Sequence, residues 1–491
     1  MRRIMAIDQG TSSSRAIIFD LDGHVLGVGQ QDFDSSYPAD GWVEQDPEVL
    51  WRTTLAAGRD ALTAAGIGAA DVAAIGITNQ RETTLLWDRR TGECVHPAIV
   101  WQDRRTADRC EAIRRDGLEA LVARKTGLVV DPYFSGTKLA WLLDRVPGAR
   151  ARAEAGELAF GTVDTYLIWR LTGGRVHATD ASNASRTMLF DIGGQRWSPD
   201  LLSYLRIPEA LLPEVRDCAG DFGVAEAGWF GAEIPVLGVA GDQQAALIGQ
   251  GCIAPGMTKS TYGTGCFAMT HTGTRQLESS HRLLSTVAYR LDGVTSYALE
   301  GSIFSAGVAI KWLRDRLGLI ASAADSEAAA RRTDGNTGGV YVVPAFTGLG
   351  APHWQPEARG TIVGLTLDSD RDQIVTATLC SVAYQTEELL AAMAADGAAV
   401  ARLRVDGGMV VNDWLCQFLA DVVGCPVERP VITETTALGA AMLAALGAGL
   451  VGNLEQAAGL WRLEREFRPA MSAVQRERLL TGWRRAVARA L

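Results

Sequence analysis

Lysine is nearly missing from this 491-residue chain: it stands only at positions 125, 138, 259 and 311, so arginine carries almost all the positive charge. Lys and Arg together number 47 against 57 Asp and Glu, a net charge of −10. A surface so short of positive charge argues against binding nucleic acid or an anionic membrane through its overall field. An anionic ligand would have to be held locally, by backbone amides, hydroxyls, a metal ion or single cations. The eight cysteines (94, 110, 218, 252, 266, 380, 416 and 425) form no Cys-x-x-Cys pair and no cluster with histidine at metal-ligand spacing. They read as isolated reduced thiols of a cytoplasmic protein. Apolar runs are short. The first, at residues 4–7, stops at Asp8, too early for a signal peptide. Residues 435–454 run 20 positions without a charge, but they are Ala-rich and hold four glycines, so they read as a buried helix and not as a membrane span.

What the chain does have is the balance of a globular protein, 47% hydrophobic and 21% charged, with length for about three domain-sized units. Strands are expected at 4–7 and 15–19, then Asp22-Gly23 as a hairpin turn into 24–28. A helix with Asp46 as N-cap and Pro47 in its first turn follows, with Trp51, Leu55 and Leu62 on its apolar stripe. Residues 72–77 read as a buried strand. Alternating strands and helices indicate an α/β fold. Near residue 250 the pattern restarts: 258–261 leads into Tyr262-Gly263-Thr264-Gly265, a strand resumes at Cys266, and a second Asp-Gly hairpin stands at Asp292-Gly293. The echo of Ile7-Asp8-Gln9-Gly10-Thr11 suggests two related α/β domains, 1–250 and 251–491, with a cleft between them. Gly249-Gln250-Gly251 is the expected hinge.

Three glycine-bearing turns could hold a nucleotide. The turn from Asp8 to Ser14 offers amides and hydroxyls to an oxyanion, with Asp8 placed for a hydrated Mg²⁺; it lacks the spacing of a P-loop. Gly263-Thr264-Gly265 could grip the same phosphates from the other side. Val405-Asp406-Gly407-Gly408-Met409, with a helix starting near Asn412, would let backbone approach a flat base. Taken singly, the first turn is equally explained by local hydrogen bonding, and the strand-to-Gly-Gly-to-helix pattern is common and mostly structural.

A second group suits a polyol. Arg81-Glu82 and Gly241-Asp242-Gln243-Gln244 follow two strands at the end where α/β sheets bind ligands. Their donors and acceptors match neighbouring hydroxyls. Trp101, Tyr133 and Phe267 could face the carbons, although aromatics more often pack cores. Asp242 could accept the proton of an attacking hydroxyl or cap a helix starting near Gln244.

Six strings in order carry a resemblance over nearly the whole chain. They are Ala6-Ile7-Asp8-Gln9-Gly10-Thr11, Gly76-Ile77-Thr78-Asn79-Gln80-Arg81-Glu82-Thr83, Asp131-Pro132-Tyr133-Phe134-Ser135-Gly136-Thr137-Lys138, Ala240-Gly241-Asp242-Gln243-Gln244, Thr261-Tyr262-Gly263-Thr264-Gly265-Cys266-Phe267 and Phe346-Thr347-Gly348-Leu349-Gly350-Ala351-Pro352. The sequence resembles the FGGY carbohydrate kinases, of the sugar kinase, Hsp70 and actin superfamily, and among them the members that phosphorylate glycerol. The resemblance implies two duplicated ribonuclease-H-like domains closing over glycerol and MgATP. It implies that Arg81, Glu82, Tyr133, Asp242 and Gln243 bind the hydroxyls between Trp101 and Phe267, with Asp242 as base. Thr11, Ser12, Ser13, Arg15 and Thr264 would meet the phosphates, and Gly307, Lys311, Gly408 and Asn412 the rest of ATP. Asp8 would hold Mg²⁺ through water, with Asp242 beside it. A homodimer or homotetramer is also implied.

Three departures stand out. Lys311 replaces the Gln of many members, Met409 a smaller residue and His353 a Tyr. Some bacterial members bind fructose 1,6-bisphosphate through Gly-Gly-Thr-Arg; the corresponding Phe230-Gly231-Ala232-Glu233 puts an anion where Arg should be, so weak or absent binding is expected. Kinases of the same family acting on xylulose or gluconate, and a non-catalytic actin-like ATP clamp, are the alternatives.

Overall fold

The computed structural model describes residues 2–355 and 357–491. Two mixed sheets organise it. In the first, β1 (Arg3–Gln9), β2 (Ser13–Phe19) and β3 (Val25–Asp32) form an antiparallel meander. Gly23, at φ 83°, turns the second hairpin where Asp22-Gly23 predicts it. Helix α1 (Pro47–Ala65) starts at Asp46, whose carboxylate accepts the Glu48 N–H, and it buries Trp51, Leu55 and Leu62. Two parallel strands, β4 (Val72–Asn79) beside β1 and β5 (Ile234–Gly241) beside β4, complete the sheet, with the two-residue strand Val224–Ala225 on its edge. Helix α2 (Asp242–Gly249) leaves β5 directly.

The second sheet repeats that order. β6 (Met257–Tyr262) and β7 (Cys266–Gly273) make the hairpin; β8 (Leu284–Leu291) and β9 (Val294–Ile303) follow, β9 pairing with β7. After helices α3 (Gly307–Asp315) and α4 (Arg371–Ala395) come β10 (Arg402–Asp406), α5 (Asp413–Val423), β11 (Val427–Pro430), α6 (Thr435–Gly447) and β12 (Leu463–Phe467). β10 pairs in parallel with β6, and β11 with β10. The central order β3-β2-β1-β4-β5 thus recurs as β9-β7-β6-β10-β11, the duplicated ribonuclease-H-like plan.

Helix α6 lies within the uncharged run and is buried along most of its length, as expected of a core helix. It packs against α2 and the first sheet so closely that only glycine fits at the crossing. A Cβ on Gly249 would sit 1.9 Å from the Thr435 carbonyl oxygen, and one on Gly439 1.8 Å from that of Ala245. Gly249, expected as part of a hinge, is therefore set by helix packing. Gln250 beside it is held by Asp406, Trp461 and Arg404. Among the described residues no helix is long and apolar enough to cross a membrane, and the eight cysteines are free thiols.

Candidate active site

The carboxyl ends of β1, β4 and β5 lie side by side, with Asp8 opposite Thr78 and Gly241 opposite Asn79. That register brings together Arg81-Glu82, which follows β4, and Asp242, which follows β5. Gly241 is the N-cap of α2, and Asp242 its first residue, so the helix begins two residues before Gln244 and the capping role expected of Asp242 falls to its neighbour. Asp242 Oδ1 accepts the Gln243 backbone N–H at 2.7 Å and lies 3.1 Å from Arg81 Nε. Among the described residues Oδ2 has no partner. The side chain is 31% exposed, whereas Arg81 is 2% exposed.

Arg81 is locked. Its Nη1 and Nη2 donate to the two oxygens of Glu300, at 2.6 and 2.9 Å, and Nη1 also meets Gln244 Oε1 at 3.2 Å. Glu82, buried and at φ 61°, gives Oε1 to Arg186 Nε at 2.7 Å. Burial most strongly opposes ionisation of Glu300, yet Arg186 and Arg81 hold its carboxyl down at about 2. Burial raises the Glu82 carboxyl against the pull of the same two arginines. Tyr133 is half-buried beside this cluster, its hydroxyl pushed up first by desolvation and then by Glu82. Trp101 stands edge-on to Tyr133, 5.6 Å between ring centres, and its indole N–H donates to Thr11 Oγ1 at 2.9 Å. That bond joins the polyol group to the first glycine turn. Gln243 accepts from the buried ammonium of Lys259, which burial pulls below its ordinary value. Phe267 is half-buried on β7, opposite Ser302 of β9; no hydrogen bond or ring contact among the described residues ties it to the cluster.

Asp8 closes the group from the β1 side. Burial, and next the Asp242 carboxylate, push its carboxyl up to about 7; Arg15 pulls the other way. Oxygen donors with surplus negative charge, one of them costly to leave ionised without a counter-charge, fit a hard divalent cation such as Mg²⁺.

The expected phosphate residues divide. In the first turn the Gly10 N–H donates to the Ser13 carbonyl at 2.9 Å, and the Ser12 and Ser13 hydroxyls make no hydrogen bond among the described residues. Arg15, expected on the phosphates, instead pairs with Glu434 and with Gln30 Oε1, its Nε 2.9 Å and Nη2 2.7 Å from the latter. The second turn is built against α3: the Gly263 and Thr264 carbonyls accept N–H groups of Gly307 at 2.9 Å and of Ala306 and Val308 at 3.0 and 3.1 Å. A Cβ on Gly307 would stand 2.5 Å from the Gly263 oxygen and 3.6 Å from Met409 Sδ, which brings the third loop to the same place. Asn412 caps α5 through the Leu415 N–H; Gly408 and Lys311 are exposed beside these turns. The Thr435 hydroxyl, next to Glu434, donates to Asp406 Oδ2 at 2.5 Å. The first turn is thus linked to the Asp-Gly-Gly loop through the start of α6.

Arg186, Glu300, Lys259 and Glu434 were not singled out by the sequence. Glu300 had one signal, a lone carboxylate in the apolar run of Tyr297-Ala298-Leu299-Glu300, and Lys259 is one of four lysines, inside a strand.

Residues 3–249 match the N-terminal domain, and residues 258–448 the C-terminal domain, of the "FGGY family of carbohydrate kinases". The chain belongs to this family. Curated FGGY relatives include "Glycerol kinase" of Rhodospirillum centenum, 60% identical over 486 residues that cover 99% of this chain and 97% of the relative. "Glycerol kinase 1" of Pseudomonas aeruginosa is also 60% identical, covering 99% and 98%. Among solved structures, glycerol kinase of Plasmodium falciparum with ADP superposes with a TM-score of 0.93 at 33% identity, covering 100% of this chain and 98% of that one. A xylulose kinase of Lactobacillus acidophilus reaches 0.89 at 20% identity over 99% of each chain, which establishes the shared FGGY fold alone.

Proposed function

We propose that this FGGY kinase transfers the terminal phosphoryl group of ATP to glycerol, giving sn-glycerol 3-phosphate and ADP. The observation that carries the reading is 60% identity over 99% of the chain to glycerol kinases, on a site whose polar groups suit neighbouring hydroxyls.

The residues divide the work. Arg81, with three of its five N–H groups hydrogen-bonded to Glu300 and Gln244, keeps donors for the polyol, and Gln243 and the Tyr133 hydroxyl add further polar contacts. Trp101 and Phe267 flank the carbon chain. Asp242 Oδ1 accepts the Gln243 N–H and is ion-paired with Arg81, which leaves Oδ2 for the attacking hydroxyl. As that oxygen bonds to the γ-phosphorus, its bond to the β-phosphate oxygen of ADP breaks and the hydroxyl proton moves to Oδ2. A carboxylate serves here, because the loose transition state of phosphoryl transfer depends mainly on positioning and charge neutralisation. Ser12, Ser13 and Thr264 supply hydroxyls to the phosphates, and Arg15 reaches them once it leaves Glu434. Gly307, Lys311, Gly408 and Asn412 frame the rest of the nucleotide. Asp8, with Asp242, would hold Mg²⁺ through water; the ion supplies charge neutralisation on the phosphates.

A pocket that pairs each hydroxyl rejects substrates that leave its polar groups unpaired. The eight free thiols support a cytoplasmic location, and a homodimer or homotetramer remains our reading of its assembly. The test is ADP release measured with glycerol, dihydroxyacetone, xylulose and gluconate. Glycerol should give the highest kcat/KM. Full activity on a pentulose with little on glycerol would replace the reading, and nucleotide binding with no polyol-dependent turnover would favour a clamp.

A further inference from the structure

Two buried charges beside the polyol pocket have no part in the chemistry above. Arg186 is 0% and Glu300 1% exposed. Glu300 stands on β9 of the second sheet, whereas Arg81 and Glu82 follow β4 of the first. Its carboxylate takes Arg81 through both oxygens, and its Oε1 also accepts from Arg186 Nη2 at 3.1 Å. Arg186 Nε continues to Glu82, and Arg81 Nε faces Asp242. The result is one connected set of alternating charge, in which Arg81, Glu300, Arg186 and Glu82 close a ring through the 3.9 Å approach of Glu82 Oε1 to Arg81 Nε, and Asp242 joins at the same Nε. Asp242 and Arg81 of this set meet the substrate in the reading above, and the family resemblance implies the same of Glu82.

We propose that Glu300 and Arg186 are positioning residues for polyol phosphorylation, a buried spine that sets Arg81 against Asp242 and holds the Glu82 carboxylate beside the same guanidinium. This rests on the glycerol reading. A carboxylate–guanidinium fork fixes the plane of the guanidinium as well as its place, which a single hydrogen bond would not. With Arg81 forked onto Glu300, its Nε edge is turned towards Asp242 Oδ1 at 3.1 Å and, farther off, Glu82 Oε1 at 3.9 Å. Arg186 does the same for Glu82 and braces the aromatic wall, its guanidinium carbon 5.8 Å from the Tyr133 ring centre and 5.5 Å from that of Phe134. A latch serving only to join the two sheets would need one ion pair. This one runs on in both directions to groups of the pocket.

The test uses the full chain with Glu300→Gln, Arg186→Lys, Arg186→Gln and Glu300→Gln/Arg186→Gln, each checked for folding by thermal melting and ADP binding. Glu300→Gln keeps the side chain's shape but removes its charge and turns one of the fork's two acceptors into a donor, and Arg186→Lys keeps the charge but loses the planar donor. In either variant the KM for glycerol should rise about 10- to 100-fold, the effect of one or two displaced charge-assisted hydrogen bonds, with the KM for ATP little changed. The double variant removes one charge of each sign from the spine and should be no worse than the poorer single one, as members of one coupled unit behave. Unchanged KM values, a parallel rise in both KM values with the loss of stability, or single effects that multiply in the double variant would each overturn the proposal. If Glu300→Gln does not fold, Arg186→Lys alone decides through the same split of KM values. A wild-type protein with no glycerol-dependent ADP release would overturn the reading beneath it; an active wild type with unmoved variants overturns the spine alone.

Discussion

The two halves of the site are built by opposite means. Around Arg81 and Asp242 the chemistry is in side chains, and the protein has already paired nearly all of them: fork, spine, indole bond and ammonium. At the glycine turns the structure is in the backbone. Carbonyls of Gly263 and Thr264 fasten the turn to α3, while the hydroxyls of Ser12, Ser13 and Thr264 hold nothing among the described residues. A buried polar group is costly to leave unpaired, so a pocket for a small uncharged polyol has to arrive organised. Phosphates bring strong acceptors with them, so loops that receive them can keep their donors free. The difference teaches that side-chain changes should damage polyol use and backbone changes nucleotide use.

The largest effect should come from the residue shared by both halves. Asp242→Asn should cut kcat by ~10²–10⁴, as for a lost general base, while ATP binding measured by calorimetry persists. Near-normal turnover would remove the residue from that role. The comparison is sharpened next by Gly307→Ala. Its methyl would stand 2.5 Å from the Gly263 oxygen, so backbone must move. The KM for ATP should rise ~10-fold or more, as one overpacked methyl implies, and the KM for glycerol should hold. A rise in the glycerol KM instead would break the division.

A smaller effect concerns acidity. The Asp8 carboxyl is raised from 3.8 to about 7, so the folded chain keeps a proton that the unfolded chain releases. The stability this group adds is full below the unfolded value and is lost as pH rises through the folded one. In metal- and nucleotide-free protein, the Tm of Asp8→Asn should therefore gain on the wild type between about pH 4 and pH 8. A gap independent of pH would contradict the burial of that charge. Smallest of all, fructose 1,6-bisphosphate should leave the steady-state rate unchanged, because Glu233 places an exposed anion in the loop. Potent inhibition would refute that.

Much of this was legible in the sequence because the signals are local. Asp-Gly turns, the Asp46-Pro47 helix start and the uncharged α6 each announce themselves within a few residues. Both glycine turns and the ends of β4 and β5 followed from strand punctuation. What stayed hidden is long-range. Glu300 reaches Arg81 across 219 positions, and Glu434 reaches Arg15 across 419. No spacing rule predicts such pairs, since they depend on how the two sheets face one another. The packing role of Gly249 stayed hidden for a related reason: it comes from a helix nearly 200 positions later, and a glycine required by close approach looks in sequence like one required by motion.

The measurement that most directly tests this asymmetry is calorimetric titration of glycerol into the nucleotide-free protein. A pocket whose side chains are already held by protein partners should take glycerol saturably at one site, with an affinity within about tenfold of that seen with ADP present. Binding of glycerol only after ADP is added would show that the nucleotide assembles the pocket, and would contradict the account.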